Sequence, residues 1–157
     1  MQQERLDILL AEDSPGDIRL IEEAFAENDT EHRLHVVRNG METVDFLRKQ
    51  GPFNHAPRPD LIILDLNLPQ KDGREVLAEI KTDSVLKQIP VIVLTVSEAE
   101  DDVRESYNLR ANCYISKPVD FRRFLASVRS ILSFWLTVAS LPEKLGADSV
   151  KTVSPRR

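Results

Sequence analysis

Five residues of this 157-residue chain carry the groups needed to take up a phosphoryl group: Glu12, Asp13, Asp65, Thr95 and Lys117. Each stands at the end of a short apolar or β-branched run. Taken singly, adjacent acids in a chain that is 30% charged read as solvated loop residues. Asp65 is different, because it closes the run Leu61-Ile62-Ile63-Leu64, where a carboxylate has no packing role. Three carboxylates converging at about 5 Å, in an effective dielectric near 20, repel by roughly 3 kcal/mol per pair. They call for a cation. An all-oxygen set with few protein ligands suits Mg²⁺, which keeps waters and shares phosphate oxygens. A carboxylate beside Mg²⁺, with a lysine and a hydroxyl near, is the equipment for an aspartyl phosphate. Asp65 would be the nucleophile, Mg²⁺ on Glu12 and Asp13 would offset the incoming oxygens, and Lys117 and Thr95 would supply a second cation and a hydroxyl donor. Zinc is disfavoured, since His32, His35, His55 and the single Cys113 lack zinc-ligand spacing and the histidines read as surface residues.

The elements that must position these groups follow from the apolar pattern. Strands are expected at Leu6 to Ala11, Leu34 to Arg38, Leu61 to Asp65, Val91 to Thr95 and Asn112 to Ser116. The third and fourth are continuously apolar, as a parallel strand covered on both faces requires. His35 and Arg38 suit the second to an edge. Ser14 can cap the first helix, with Pro15 in its first turn and Asp17 complementing its dipole. Ser97 and Glu100 fit a capping box for a helix over 97–109. Alternating strands and helices predict an α/β, doubly wound parallel sheet, whose ligands bind beyond the carboxyl ends of the strands.

Composition narrows the field. The length and the 41% hydrophobic content suit one domain, here residues 1–142, and the net charge of -5 has the wrong sign for nucleic acid. One cysteine excludes an intrachain disulfide. The polar start lacks the apolar region of a signal peptide, and no run approaches the roughly 20 residues of a membrane span, so a cytoplasmic protein is expected. Neither GxGxxG nor GxxxxGK[ST] occurs. The last helix, from about Asp120 to Leu141, would run roughly 33 Å and overhang the domain, and Phe134, Leu136 and Leu141 do not all fit on its core stripe, which leaves some apolar surface over. Residues 143–157, with four bases and two acids, read as a disordered tail.

As a set, Glu12-Asp13-Ser14, Asp65-Leu66-Asn67-Leu68-Pro69-Gln70-Lys71-Asp72-Gly73, Pro90-Val91-Ile92-Val93-Leu94-Thr95 and Tyr114-Ile115-Ser116-Lys117-Pro118 resemble the receiver domains of two-component response regulators, over about residues 5–132. The resemblance implies a flavodoxin-like receiver fold: a five-stranded parallel sheet of order 2-1-3-4-5 flanked by five helices. It implies phosphorylation of Asp65 by a phosphohistidine donor, and Mg²⁺ held by Asp13, Asp65 and the Asn67 carbonyl, with Glu12 acting through water or helping to position the ion. It implies a cis peptide before Pro118 and a switch in which the Thr95 hydroxyl moves toward the phosphoryl group while Tyr114 turns inward. Such a protein is not an enzyme but a phosphoacceptor that assists its own phosphotransfer and slow dephosphorylation.

Within that family, Pro57-Arg58-Pro59-Asp60, the run Asp72 to Lys81, Asn112-Cys113-Tyr114, Phe134-Trp135-Leu136 and Leu141-Pro142 are similar to the small regulators paired with cyanobacterial-type phytochromes. A phytochrome-type histidine kinase is the partner this implies. Val96 stands where the family has a small residue, and the expectation is slower phosphoryl exchange. The helix over 97–109 has few large apolar residues besides Val103, Tyr107 and Leu109, so it should pack lightly and serve as a mobile face. Output would go to a downstream protein, not named by the sequence, or through a homodimer using Tyr107, Phe134 and Leu141.

Three other readings compete. A haloacid dehalogenase would place its nucleophile in a DxD after strand one, where this chain has Ala11-Glu12-Asp13-Ser14. A flavin carrier would need a hydroxyl-rich phosphate loop there, and two carboxylates repel that dianion. The third is a receiver-like scaffold that no longer uses phosphate.

Overall fold

Leu61, Ile62, Ile63 and Leu64 are all buried, which only a strand covered on both faces permits. The computed structural model describes residues 5–27, 31–95, 111, 113–116 and 121–134. Its strands are β1 (Leu6–Ala11), β2 (His32–Val37), β3 (Leu61–Leu64), β4 (Val91–Thr95) and β5 (Cys113–Ser116). Its α-helices are α1 (Pro15–Ala26), α2 (Gly40–Arg48), α3 (Gly73–Thr82) and α4 (Phe121–Ser133). The strands form one parallel sheet in the order β2-β1-β3-β4-β5. Four α-helices are described; the expected helix over 97–109, the last helix beyond 134 and the tail at 143–157 lie outside the described residues.

Alternation along the strands divides the interior in two. Leu9, Ala11, Ile62, Leu64, Val91 and Val93 pack with Phe46 and Leu47 of α2 and Val76, Leu77 and Ile80 of α3. Ile8, Leu10, Ile63, Ile92 and Leu94 pack with Ile18, Ile21 and Phe25 of α1 and Val128 of α4. The sheet is therefore covered on both faces. Ser14 caps α1 as expected, its Oγ accepting the Asp17 N–H at 3.3 Å with Pro15 in the first turn.

Two expectations are corrected. β2 runs from His32 to Val37, not from Leu34 to Arg38, because its parallel register with β1 pairs Leu6 with His32 and Ala11 with Val37. Strand length is set by the neighbour, and Arg38 is already committed elsewhere, its N–H donating to Glu42 Oε1 at 3.0 Å. Nor are all the histidines surface residues. His35 is half-buried, with Nε2 3.0 Å from Asp7 Oδ1 and its ring 5.4 Å from that of Phe46, and His32 stacks edge-on against Phe25 at 5.1 Å.

The opposite, N-terminal edge of the sheet holds a polar tie. Asp7 and Asp60 are each 8% exposed. Asp60 Oδ2 accepts the Asp7 N–H at 2.9 Å, and the Asp60 N–H donates to the Asp7 carbonyl at 2.7 Å. Arg33 Nε approaches Asp7 Oδ1 at 2.9 Å. Buried carboxylates are thus paired, as burial requires.

α2 and α3 are joined by charge. Arg48 reaches Glu79 Oε2 at 3.1 Å and Asp83 Oδ2 at 3.2 Å, while Lys71 Nζ lies 2.9 Å from Glu79 Oε1. The Lys71 hydrogen bond, aided by Arg48 and opposed by burial, holds the Glu79 carboxyl below its ordinary 4.5. A carboxyl lowered on folding contributes stability above its unfolded value, lost as pH falls through the lowered one. We expect Glu79→Gln to lose stability at pH 7 but to show a shallower decline than wild type as pH is lowered from about 4.5, measured by urea denaturation at several pH values. Parallel curves for the two proteins would count against this.

Candidate functional site

Each site group leaves the sheet at the same edge because parallel strands end together. Glu12 and Asp13 follow β1, Asp65 follows β3, and Thr95 ends β4 in register with Ser116 of β5. Glu12 is 1% exposed and Asp65 5%, whereas Asp13 is exposed. One carboxylate oxygen from each of the three lies within 4.8 Å of the others. The convergence expected from the sequence is therefore present, with two acids buried and one open to solvent.

Backbone bonds fix these acids. The Glu12 N–H donates to the Val37 carbonyl at 3.0 Å, and Glu12 Oε2 accepts the Ser14 N–H at 3.1 Å. The Asp65 N–H donates to the Ala11 carbonyl at 3.0 Å, extending the β1–β3 ladder one step past β3. Asp65 Oδ1 accepts the Asn67 N–H at 2.9 Å, which sets the direction of the carboxylate. The loop then returns. The Gly73 N–H donates to the Leu66 carbonyl at 2.9 Å, and Asp72 Oδ1 caps α3 by accepting the Arg74 N–H at 2.7 Å. A Cβ at Gly73 would collide with the Asp65 carbonyl and with Leu66 Cα, so this position requires glycine.

The donor set fits a hard divalent cation. It is all oxygen and concentrates negative charge, and its exposed member leaves the cluster open to water. Asn67 sits on the same loop, two residues from Asp65 and exposed. Tyr114 lies on β5 opposite Val93. The side chains of Thr95 and Tyr114, and the whole of Val96, Tyr107, Lys117, Pro118 and Leu141, lie outside the described residues. Phe134, at the end of α4, is 50% exposed. The sequence reading missed Gly40, whose N–H donates to the Pro69 carbonyl at 3.2 Å and whose Cα abuts the Lys71 backbone. An Asn39-Gly40 helix start was the available signal, but its partner lies in a distant loop.

The family model described as the response regulator receiver domain matches residues 8–129. The chain belongs to that family. This receiver is 50% identical to the response regulator Rcp1 of Synechocystis sp. over 135 residues, spanning 86% of this chain and 92% of Rcp1. Its structure aligns with the Mn²⁺-bound form of Rcp1 at a TM-score of 0.86 and 50% identity, covering 87% of this chain and 99% of that one. It aligns equally well, at 0.86 and 52% identity, with the phosphorylated cyanobacterial phytochrome response regulator RcpA, covering 88% and 99% of the two chains. The receiver's flavodoxin-like parallel sheet and the carboxylates at its C-terminal edge thus stand within a family of known architecture. No helix among its described residues is long and apolar enough to cross a membrane.

Proposed function

We propose that this receiver accepts a phosphoryl group on Asp65 from the phosphohistidine of a phytochrome-type histidine kinase, in a Mg²⁺-dependent reaction. The observation that carries this is the buried Asp65 carboxylate, aimed by the Asn67 N–H and clustered with Glu12 and Asp13 at the sheet edge. In the transfer, the N–P bond of the donor breaks as an Asp65 O–P bond forms, and the departing imidazole takes up a proton from solvent. Asp65 needs no base, since it reacts as the carboxylate. Asp13, Asp65 and the Asn67 carbonyl would hold Mg²⁺, with Glu12 acting through water. When bound, the ion offsets the charge of the carboxylates and of the incoming phosphoryl oxygens. The Mn²⁺-bound form of Rcp1 and the phosphorylated form of RcpA support both parts of this reading.

Lys117 would pair with the phosphoryl group, and the Thr95 hydroxyl would follow it, with Tyr114 turning inward behind, as the resemblance implies. The protein is then a phosphoacceptor that assists its own transfer and slow hydrolysis, working in the cytoplasm. Its output would be contact with a downstream protein or formation of a homodimer through the region of Tyr107, Phe134 and Leu141; the half-exposed Phe134 supports the latter. Light scattering at micromolar concentration, with and without phosphorylation, checks the dimer, and a monomer in both states removes it.

Incubation with phosphoramidate, with and without Mg²⁺, followed by intact mass spectrometry tests the chemistry. A Mg²⁺-dependent gain of one phosphoryl group in wild type, absent in Asp65→Asn, is the expected result. No gain from phosphoramidate, nor from a phytochrome-type kinase supplied with ATP, would replace the proposal with a phosphate-independent scaffold.

A further inference from the structure

We propose that Lys71 is a positioning residue for the cation site, holding the loop that presents Asn67 through an ion-pair ring that joins both ends of α2 to α3. The inference rests on reading Asp13, Asp65 and Asn67 as that site.

The loop from Asp65 to Asp72 has an exposed centre. Asn67, Pro69 and Gln70 are exposed, and between Asp65 and Lys71 only Leu66 and Leu68 are buried. Gln70 sits at φ 71°, in the left-handed region that a non-glycine residue adopts at a cost. The Lys71 N–H donates to the Pro69 carbonyl at 2.8 Å, closing a tight turn around that residue. A turn held in an uphill conformation on an exposed loop needs support from outside itself.

Two contacts supply it, one from α2 and one from α3. At the start of α2, Gly40 has no Cβ, so its backbone lies against the carbonyl and Cβ of Lys71, and its N–H bonds the Pro69 carbonyl. The Lys71 ammonium in turn pairs with Glu79 of α3 at 2.9 Å. Glu79 also takes Arg48, the last residue of α2, at 3.1 Å. The path from Gly40 to the loop, to Lys71, to Glu79, to Arg48 and back along α2 is closed. With side chains only about a quarter to a third exposed, at 28% for Lys71, 30% for Glu79 and 36% for Arg48, the ring is more constrained than an open surface pair. Shifting Lys71 therefore shifts the turn and, four residues earlier, the Asn67 carbonyl.

Charge and position predict opposite signs, which makes the idea testable. Deleting a positive charge near a cation site strengthens cation binding if Lys71 acts only through its field. If Lys71 positions the loop, deleting it weakens binding. Calorimetric titration with Mg²⁺ alone would be run on wild type, Lys71→Met, Lys71→Arg, Glu79→Gln and the double variant Lys71→Met/Glu79→Gln. We expect Kd to rise about three- to tenfold in Lys71→Met and in Glu79→Gln, to stay near wild type in Lys71→Arg, and to be no worse in the double variant than in either single one. A purely structural role would lower Tm in these variants and leave Kd for Mg²⁺ where it was. A Kd in Lys71→Met equal to or tighter than that of wild type overturns the inference and leaves the cation site intact. Absence of Mg²⁺ binding by wild type overturns both.

Discussion

Asp13→Asn is expected to stabilise the metal-free protein while disabling it as a phosphoacceptor. Asp13 lies in a cluster with two buried carboxylates, Glu12 and Asp65, with one oxygen of each within 4.8 Å of the others. At about 5 Å and an effective dielectric near 20 each pair would repel by roughly 3 kcal/mol; Asp13 is exposed, so a gain of about 1 kcal/mol in EDTA is the realistic size. For a domain of this length that is about 2–4 °C in Tm. Adding Mg²⁺ should reverse the order, because a ligand stabilises only the state that binds it. Wild type should then melt above the variant. The initial rate of phosphorylation by phosphoramidate should fall roughly a hundredfold, the usual scale for losing one element of charge stabilisation around a reacting group. Paired melts in EDTA and Mg²⁺ check the first part and a mass-resolved time course the second. A variant less stable than wild type in EDTA would show that the cluster is not repulsive, and the argument for a cation would lose its basis.

Gly73→Ala should be among the most damaging of the single-methyl changes at the described glycines. The added Cβ would meet the Asp65 carbonyl and Leu66, both main-chain atoms, which cannot rotate away as a side chain can. Overpacking of this kind costs about 3 kcal/mol, and here it falls on the backbone of the phosphoacceptor itself. Both stability and phosphorylation should drop. Gly16→Ala is the control: an added Cβ there meets nothing within 4 Å, and alanine is the better helix former, so stability should hold or rise. Chemical denaturation of the two variants beside wild type decides the matter. Equal stability of Gly73→Ala and Gly16→Ala would contradict it.

Much of this molecule was legible from local pattern. β1 and β4 have the expected bounds and β3 ends one residue short of the expected Asp65, because an apolar run buried on two sides leaves little choice of register or end. The carboxylate cluster was legible for a related reason: once the strands are parallel, residues just past their C-terminal ends must share an edge. What escaped depended on pairings between distant segments. β2 takes its bounds from β1, the Asp7–His35 contact joins two strands, and Gly40 acquires its meaning from Lys71 in another loop. Asp7 stands in the apolar run Leu6 to Ala11, where no nearby residue announces Arg33 or Asp60 as its partners.

The two interior faces of the sheet carry a consequence for how such a protein can diverge. Apart from the Asp7 tie at the opposite edge, the side chains that pack β1, β3 and β4 into the two helix layers are apolar, and the acids at the rim lie outside those clusters. Except where Gly40 and Gly73 let backbones touch, scaffold and chemistry are written in separate alphabets. The outward surfaces of α1 and α4 belong to neither. They can be rewritten residue by residue while the reactive rim stays the same.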